Sequence, residues 1–349
     1  MLSGNPGSLP LLSVMFFYPI LFLIFSFLYQ TDLRADNVLV FFKISSWSLV
    51  ILQLGFILSF FGADGQLFYD FIHSVYSDLA VIDAGDSHLV FTLPNVSSLL
   101  FLLPFVFSYY LFSDKSNSLD LLLVCLMFII VILSGRRAFF VSVFISLCLV
   151  FILAICFGLY TKKMNKKLFI LAAFVLLCIS YVFMFTSFEL RTVIDNISSI
   201  IDFESNVDNI ERVLQFYSLF NGYADNPLLG LGAGAVGDYI RSPEQPWAYE
   251  LFYLAFLFQY GTIGSLIFLS GICYILFSLT LKLKLNCISV FDKTIILCVI
   301  AGVVSFLIAN GSNPYLAKFD YMWIVFFPLY FNIYISNIHN FQLKTLGNK

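Results

Sequence analysis

Runs of about 20 apolar residues, each long enough to cross a hydrocarbon core of roughly 30 Å, recur almost from end to end of this chain, parted by short polar breaks. The pattern predicts nine spans, at roughly 11–29, 38–61, 97–113, 119–134, 137–159, 168–186, 248–280, 291–309 and 321–338. The expected fold class is an all-α polytopic integral membrane protein with about nine transmembrane helices, within a range of eight to eleven. Residues 1–349 are then a single transmembrane domain. The run that starts near residue 248 is too long for one straight crossing and contains Gly261, Thr262 and Gly264. A bend or break is expected there, since glycine loosens a helix by about 1 kcal/mol relative to alanine.

Residues 187–247 are the only long polar stretch. Within it Val207, Ile210, Leu214 and Tyr217 recur at i, i+3, i+7 and i+10, an apolar stripe along one side of a helix near 205–221. Ser205 and Asp208 supply the S-x-x-D start signal ahead of that stripe. Arg212 points away from it. A short amphipathic helix at the membrane surface buries the stripe and keeps Arg212 in a polar setting.

Composition agrees with a membrane protein: 60% of residues are hydrophobic, 11% are charged and the mean hydropathy is +0.95, against roughly 25% charged residues in a soluble domain. A net charge of −3 gives no footprint for nucleic acid. The seven cysteines all fall in apolar spans or an inner loop, so no disulfide is expected. The first apolar run has no basic leader and no small-residue cleavage site, and reads as a span.

Charge then orients the chain. Eleven of the twelve lysines, including all four in TKKMNKK (161–167), fall on one side of the nine-span map, and the positive-inside rule makes that side cytoplasmic. Residues 187–247 and the N-terminus come out on the other side, and the C-terminus inside. Five of the six arginines (Arg136, Arg137, Arg191, Arg212 and Arg241) break the rule by falling outside. A guanidinium is permanently charged and offers a planar fork that fits phosphate oxygens, so this segregation points to an anionic group, a phosphate by preference, handled on the outer face.

Each candidate has a plainer reading beside it. Arg136 and Arg137, in SGRRAFF, could snorkel to lipid headgroups. Arg212 has Asp208 at i−4, a favourable exposed helix pair, while Arg191 and Arg241 have Glu189 and Glu244 close in sequence. NPLLGLGAG (226–234) places Gly230, Gly232 and Gly234 after a proline. That spacing is not a dinucleotide fingerprint; the glycines suit either close backbone approach to an anion or a simple turn. Glu250 begins the seventh span in PWAYELFYLAFLFQYGTIG (246–264), where a first-turn carboxylate is favoured by the helix dipole and is also placed to act as a base. Trp247, Tyr249 and Tyr253 beside it suit either an interfacial belt or a stacking platform for sugars. His73, His88 and His339 make no metal motif, and no metal or cofactor is expected.

With SGRRAFF, NPLLGLGAG and PWAYELFYLAFLFQYGTIG in that order, the sequence resembles the O-antigen ligase and polymerase superfamily, and most closely a Wzy-type repeat-unit polymerase. The resemblance covers mainly residues 130–270, with TLPNVSSLLF (92–101) similar to the family's outer segment before a span. It implies a GT-C-like helical membrane glycosyltransferase of the bacterial inner membrane, with its active site on the outer, periplasmic side. The implied substrate is an undecaprenyl diphosphate-linked oligosaccharide, and a chain-length regulator and a flippase are conceivable partners beside membrane lipid. It places Arg137 at the family's first arginine and Arg212 at the arginine ahead of the proline-glycine motif. The ligase branch carries a histidine eleven residues before the helix-bend glycine; here Gly261 puts Glu250 at that position, a departure that favours a polymerase. The expected catalytic residues are Glu250, Arg137 and Arg212. The expected substrate contacts are Arg136, Arg191, Arg241, Trp247, Tyr249, Tyr253, Gly230 and Gly232. Ligation of finished glycan to a lipid or protein acceptor is the alternative within the class. A transporter or flippase is the alternative outside it, disfavoured because transporters gather charge near the midplane on repeated, broken helices.

Overall fold

A computed structural model describes residues 4–28, 34–61, 70–72, 74–75, 81–84, 89–134, 137–185 and 207–347. Its elements in chain order are α1 (Ser8–Leu28), α2 (Ala35–Phe61), β1 (Val81–Ala84), β2 (Leu89–Thr92), α3 (Leu99–Phe112), α4 (Ser118–Leu133), α5 (Arg137–Cys156), α6 (Lys162–Phe185), α7 (Val207–Asp225), α8 (Phe252–Lys282), α9 (Val290–Ala309) and α10 (Trp323–Gly347). Helices therefore occupy all nine apolar runs, and α7 lies in the polar stretch. The hairpin β1–β2 is antiparallel, with Val81 opposite Thr92. Among the described residues four helical segments are long and apolar enough to cross a membrane: α2, the stretch Pro94–Phe112 that includes α3, α8 and α9; α1, α4 and α5 hold shorter apolar stretches. This is a helical, multi-pass architecture. Arg136, Arg191, His73, His88, Ser205 and Glu189 lie outside the described residues, as do the side chains of Arg137, Val207, Asp208 and His339.

The chain divides into two compact units. One comprises residues 34–193 and 288–306. At its centre is α3, buried along its whole length and packed against α2, α4, α5 and α6. Phe42 of α2 meets Phe101 and Phe105 of α3 at ring separations of 5.1 and 4.7 Å. α9 comes close to the same spot, where a Cβ on Gly302 would overlap the Phe101 ring. One end of this unit is polar and tied together. Lys43 pairs with the buried Asp120 at 2.5 Å, and Asp120 closes a capping box with Asn117 at the start of α4. Lys167 donates to the Tyr110 and Ser113 carbonyls at 2.8 and 2.6 Å, satisfying the end of α3. Lys163 hydrogen-bonds Asp114 at 3.0 Å, and that bond holds the Asp114 carboxyl below its ordinary range. Lys115 lies over the Phe291 ring. Lys43, Lys115, Lys163 and Lys167, four of the lysines that the sequence assigns to one side, thus gather at this polar end.

The second unit comprises residues 1–33, 194–287 and 307–349. Here α8 packs on α7 and α10, and α1 on α10, where Tyr18 stacks on Phe326 with centroids 5.4 Å apart. Lys282, buried at the far end of α8, donates to the Asn332 side chain and carbonyl of α10, which gives an enclosed ammonium the acceptors it needs. The N-terminal segment lies on the loop after α7. Asn5 donates to the Leu231 carbonyl at 3.1 Å, and the Gly7 N–H to that of Gly234 at 3.3 Å. Residues 4–8 and 231–234 therefore lie against one another.

Which side is outer is a separate expectation. Single cysteines at positions 165 and 206, in a chain without the native seven, should differ in labelling of intact cells by an impermeant thiol reagent, with 206 reacting and 165 protected. Equal labelling would overturn the charge-based map.

Candidate active site

The site grows from a helix that cannot continue. α8 is 31 residues long, and at Gly261 its backbone turns to φ 65° and ψ −174°, which parts it into a shorter first half, Phe252–Tyr260, and a longer half from Thr262 onward. Such a break strands carbonyls on one half and N–H groups on the other, and at membrane depth each unsatisfied group costs several kcal/mol. NPLLGLGAG fills the gap. The N–H groups of Leu231 and Gly232 donate to the Phe258 and Gln259 carbonyls, both at 2.9 Å, while Thr262 and Ile263 N–H donate to the Pro227 and Leu228 carbonyls at 2.8 and 3.2 Å. Thr262 Oγ1 adds a bond to the Pro227 carbonyl and another with the Tyr223 hydroxyl, each 2.8 Å.

This arrangement explains the glycines. A Cβ on Gly230 would sit 2.5 Å from Gly261 N and 2.6 Å from the Gln259 carbonyl, and one on Gly261 would run into the Leu228 carbonyl; both residues also have positive φ. Gly230 spends its N–H on the Asn226 carbonyl at 2.9 Å and Gly232 spends its own on Gln259. Their N–H groups are thus committed to the turn and the helix break. Gly261→Ala and Gly230→Ala should each lower the thermal midpoint of the purified protein sharply. Strained backbone of this kind costs roughly 1–3 kcal/mol, before the lost bonds across the break. A midpoint within 1–2 °C of the parent, roughly the scatter of a neutral surface change, would contradict the fit.

α7 runs alongside the first half of α8. Gly222 leaves room for the Phe258 ring, and Leu219, Ala235, Tyr249, Ala255 and Phe258 form the core between them. Arg212, Gln215 and Ser218 fall at i, i+3 and i+6 on the inward side of α7, and each takes hold of the following loop. Ser218 Oγ accepts the Tyr239 N–H at 3.0 Å, and Gln215 Oε1 accepts the Glu250 N–H at 2.9 Å. The Arg212 side chain meets the Glu250 carboxylate, Nε to Oε2, at 2.8 Å. With the loop so fixed, Arg241 reaches the other carboxylate oxygen, Nη2 to Oε1, at 2.7 Å. Arg241 also lies 3.7 Å from Glu211, an ion pair too long to be a hydrogen bond.

Two guanidinium groups thus converge on one carboxylate from two different elements. The Glu250 side chain is 13% exposed, against 35% for Arg212 and 42% for Arg241. The acid stands at the back and the cations at the mouth. A partly exposed pair of this kind contributes about 1 kcal/mol or less to stability. Its chemical capacity is larger: guanidinium forks suit an anion, and a carboxylate can take a proton.

The structure sorts the sequence candidates of this unit. It brings Glu250, Arg212 and Arg241 together. Arg241 takes Glu250 and Glu211 as its partners instead of the neighbouring Glu244, because Ser218 and the Tyr249 hydroxyl, which accepts the Gly237 N–H at 2.6 Å, turn the loop toward α7. Glu250 precedes α8 instead of occupying its first turn, so its carboxylate serves the arginines instead of the helix dipole. Tyr249 is 1% exposed and belongs to the core between α7 and α8. The Trp247 ring is packed against Gly7. The Tyr253 hydroxyl donates to the Leu307 carbonyl at 2.6 Å, and its ring helps to line an apolar cavity of about 370 Å³ in the crook of α8, with Phe256, Leu257, Ser265 and Leu266. Gln215 and Glu211 were missed. Only the position of Gln215, one turn after Arg212 on its polar side, gave a signal.

A family model described as O-Antigen ligase matches residues 122–269, a span that holds Arg137, Arg212, the glycine loop, Arg241, Glu250 and the Gly261 break. Over that span, which is under half of its length, the chain is similar to the O-Antigen ligase family. Neither a curated protein nor a solved structure matches the chain.

Proposed function

We propose that this chain is a Wzy-type polysaccharide polymerase, which transfers a growing glycan from undecaprenyl diphosphate to the end sugar of a new lipid-linked repeat unit on the outer side of the bacterial inner membrane. The observation that carries this reading is the Glu250 carboxylate held between Arg212 and Arg241. In the reaction the acceptor hydroxyl oxygen bonds to the anomeric carbon, the bond from that carbon to the phosphate oxygen breaks, and the lipid diphosphate leaves with the electron pair. Arg212 and Arg241 take the charge that grows on the diphosphate. As the guanidinium groups turn to the phosphate, a Glu250 oxygen is released to accept the hydroxyl proton. The diphosphate is already an activated leaving group, so no nucleotide sugar enters the step. The apolar cavity in the crook of α8 offers room in the same unit for part of a lipid chain. Arg137 is proposed as a further arginine of the reaction on the strength of its sequence motif.

The likeness to the O-Antigen ligase family favours a second reading, ligation of finished glycan to another acceptor. Purified protein given only lipid diphosphate-linked repeat units separates the two. A ladder of lengthening glycan supports the polymerase. Product that forms only when a lipid core or protein acceptor is added supports the ligase, and no transfer with either acceptor refutes both.

A further inference from the structure

α7 is two-faced in a way that the site does not use. Arg212, Gln215, Ser218 and Leu219 turn inward, whereas Ile210, Leu214, Phe216, Tyr217 and Phe220 are exposed. At 3.6 residues per turn these five span about 160° of the helix surface. The apolar surface does not end with the helix. Leu228 and Leu229, 63% and 74% exposed, follow in the loop that fills the break. The Leu228 carbonyl accepts the N–H of Ile263, which with Leu266 and Ile267 is exposed on α8. α8 is itself long and apolar enough to cross a membrane. The outward band of α7 is thus continuous with a helix face of bilayer length.

We propose that α7 is a membrane-interface helix, its outward band seated in the acyl edge of the leaflet it faces and its inward edge holding Arg212 against Glu250. The occupant of this face is lipid. The attraction is apolar and not electrostatic, because α7 has no lysine and its one arginine is turned inward; basic residues on the polar face are the usual aid to anionic membranes. Seating therefore needs no anionic lipid. Resting on the transferase reading, the further consequence is that the arginine pair lies at the depth of lipid phosphate groups, so a lipid diphosphate reaches it by lateral diffusion within the leaflet.

The test uses the full chain with Trp47, Trp247 and Trp323 replaced by phenylalanine and a single reporter, Tyr217→Trp or Phe220→Trp, in phosphatidylcholine vesicles. Bromine on the acyl chains should quench either reporter by about two-fold or more, aqueous iodide should quench it little, and adding anionic lipid should change neither. A reporter at Asp238→Trp, exposed on the loop, should show the reverse. Since Trp247 packs on Gly7, a second measurement leaves all three tryptophans in place: a nitroxide at Phe220→Cys, with the native cysteines replaced by serine, should be relaxed more by oxygen than by a water-soluble nickel chelate. Quenching by iodide alone would put the band in water, quenching by neither agent would mean that protein covers it, and dependence on anionic lipid would refute the apolar attraction. No readout needs turnover, so failure here leaves the transferase reading standing, and failure of that reading leaves this one.

Discussion

Glu250→Gln is expected to reduce glycan transfer about 100-fold or more at matched protein levels, because the amide keeps the size of the side chain but cannot take the hydroxyl proton. The arginines give this variant a second diagnostic. If Glu250 accepts the proton, Arg212 and Arg241 still face the diphosphate, so lipid-linked donor binds and the loss falls on kcat. If the carboxylate only aligns the arginines, donor binding weakens as well, and KM rises with the fall in rate. Glu244→Gln, on the same loop with an exposed side chain, should leave the ladder unchanged. A parental ladder from Glu250→Gln would remove Glu250 from the chemistry and reduce the trio to a surface ion pair.

Arg212→Ala should be as severe. Loss of one preorganised donor to a developing anion commonly costs a factor of about 100 to 1000, and the stability lost is about 1 kcal/mol or less, so the protein should remain folded in the membrane. Arg212→Lys is the sharper variant. Lysine restores the charge but not the planar fork, and an ammonium cannot hold Glu250 through one edge while presenting donors elsewhere in the same plane. Its transfer rate should stay closer to that of alanine than to that of the parent. If lysine supports the parental rate, only the charge matters and the clamp fails. Arg241→Ala should cost less, since Arg241 is the more exposed of the two.

What the sequence revealed depends on the distance over which each interaction acts. The apolar runs were legible because a bilayer demands length and hydropathy from each segment on its own terms. The break in α8 was legible because an overlong run with Gly261 and Gly264 carries its own contradiction. The filling of that break was not, since Leu231 and Phe258 are bonded through their backbones and no side-chain pattern records it. That Arg241 meets Glu250 and not the neighbouring Glu244 was hidden for a similar reason. Rules for i±3 and i±4 neighbours see only local partners, whereas Glu250 comes to Arg212 from 38 residues away. Tyr249 looked like a surface aromatic because its burial comes from α7, which the local sequence does not contain. Gln215 is uncharged, and its value lies in an amide oxygen placed by the rest of the loop.

The way in which the loop closes the break in α8 also bears on inheritance. All four bonds that replace the helix's own run from main chain to main chain, so they are indifferent to which side chains flank them. Glycines carry much of the information: one added carbon at Gly230 or Gly261 would collide with the other side of the joint, and Gly232 shares their positive φ. Leu228, Leu229, Leu231 and Gln259 could be rewritten one by one over generations with the joint intact, while substitution at Gly230 or Gly261 would be purged at once. A lineage could thus lose most of its recognisable spelling around this site and still build it.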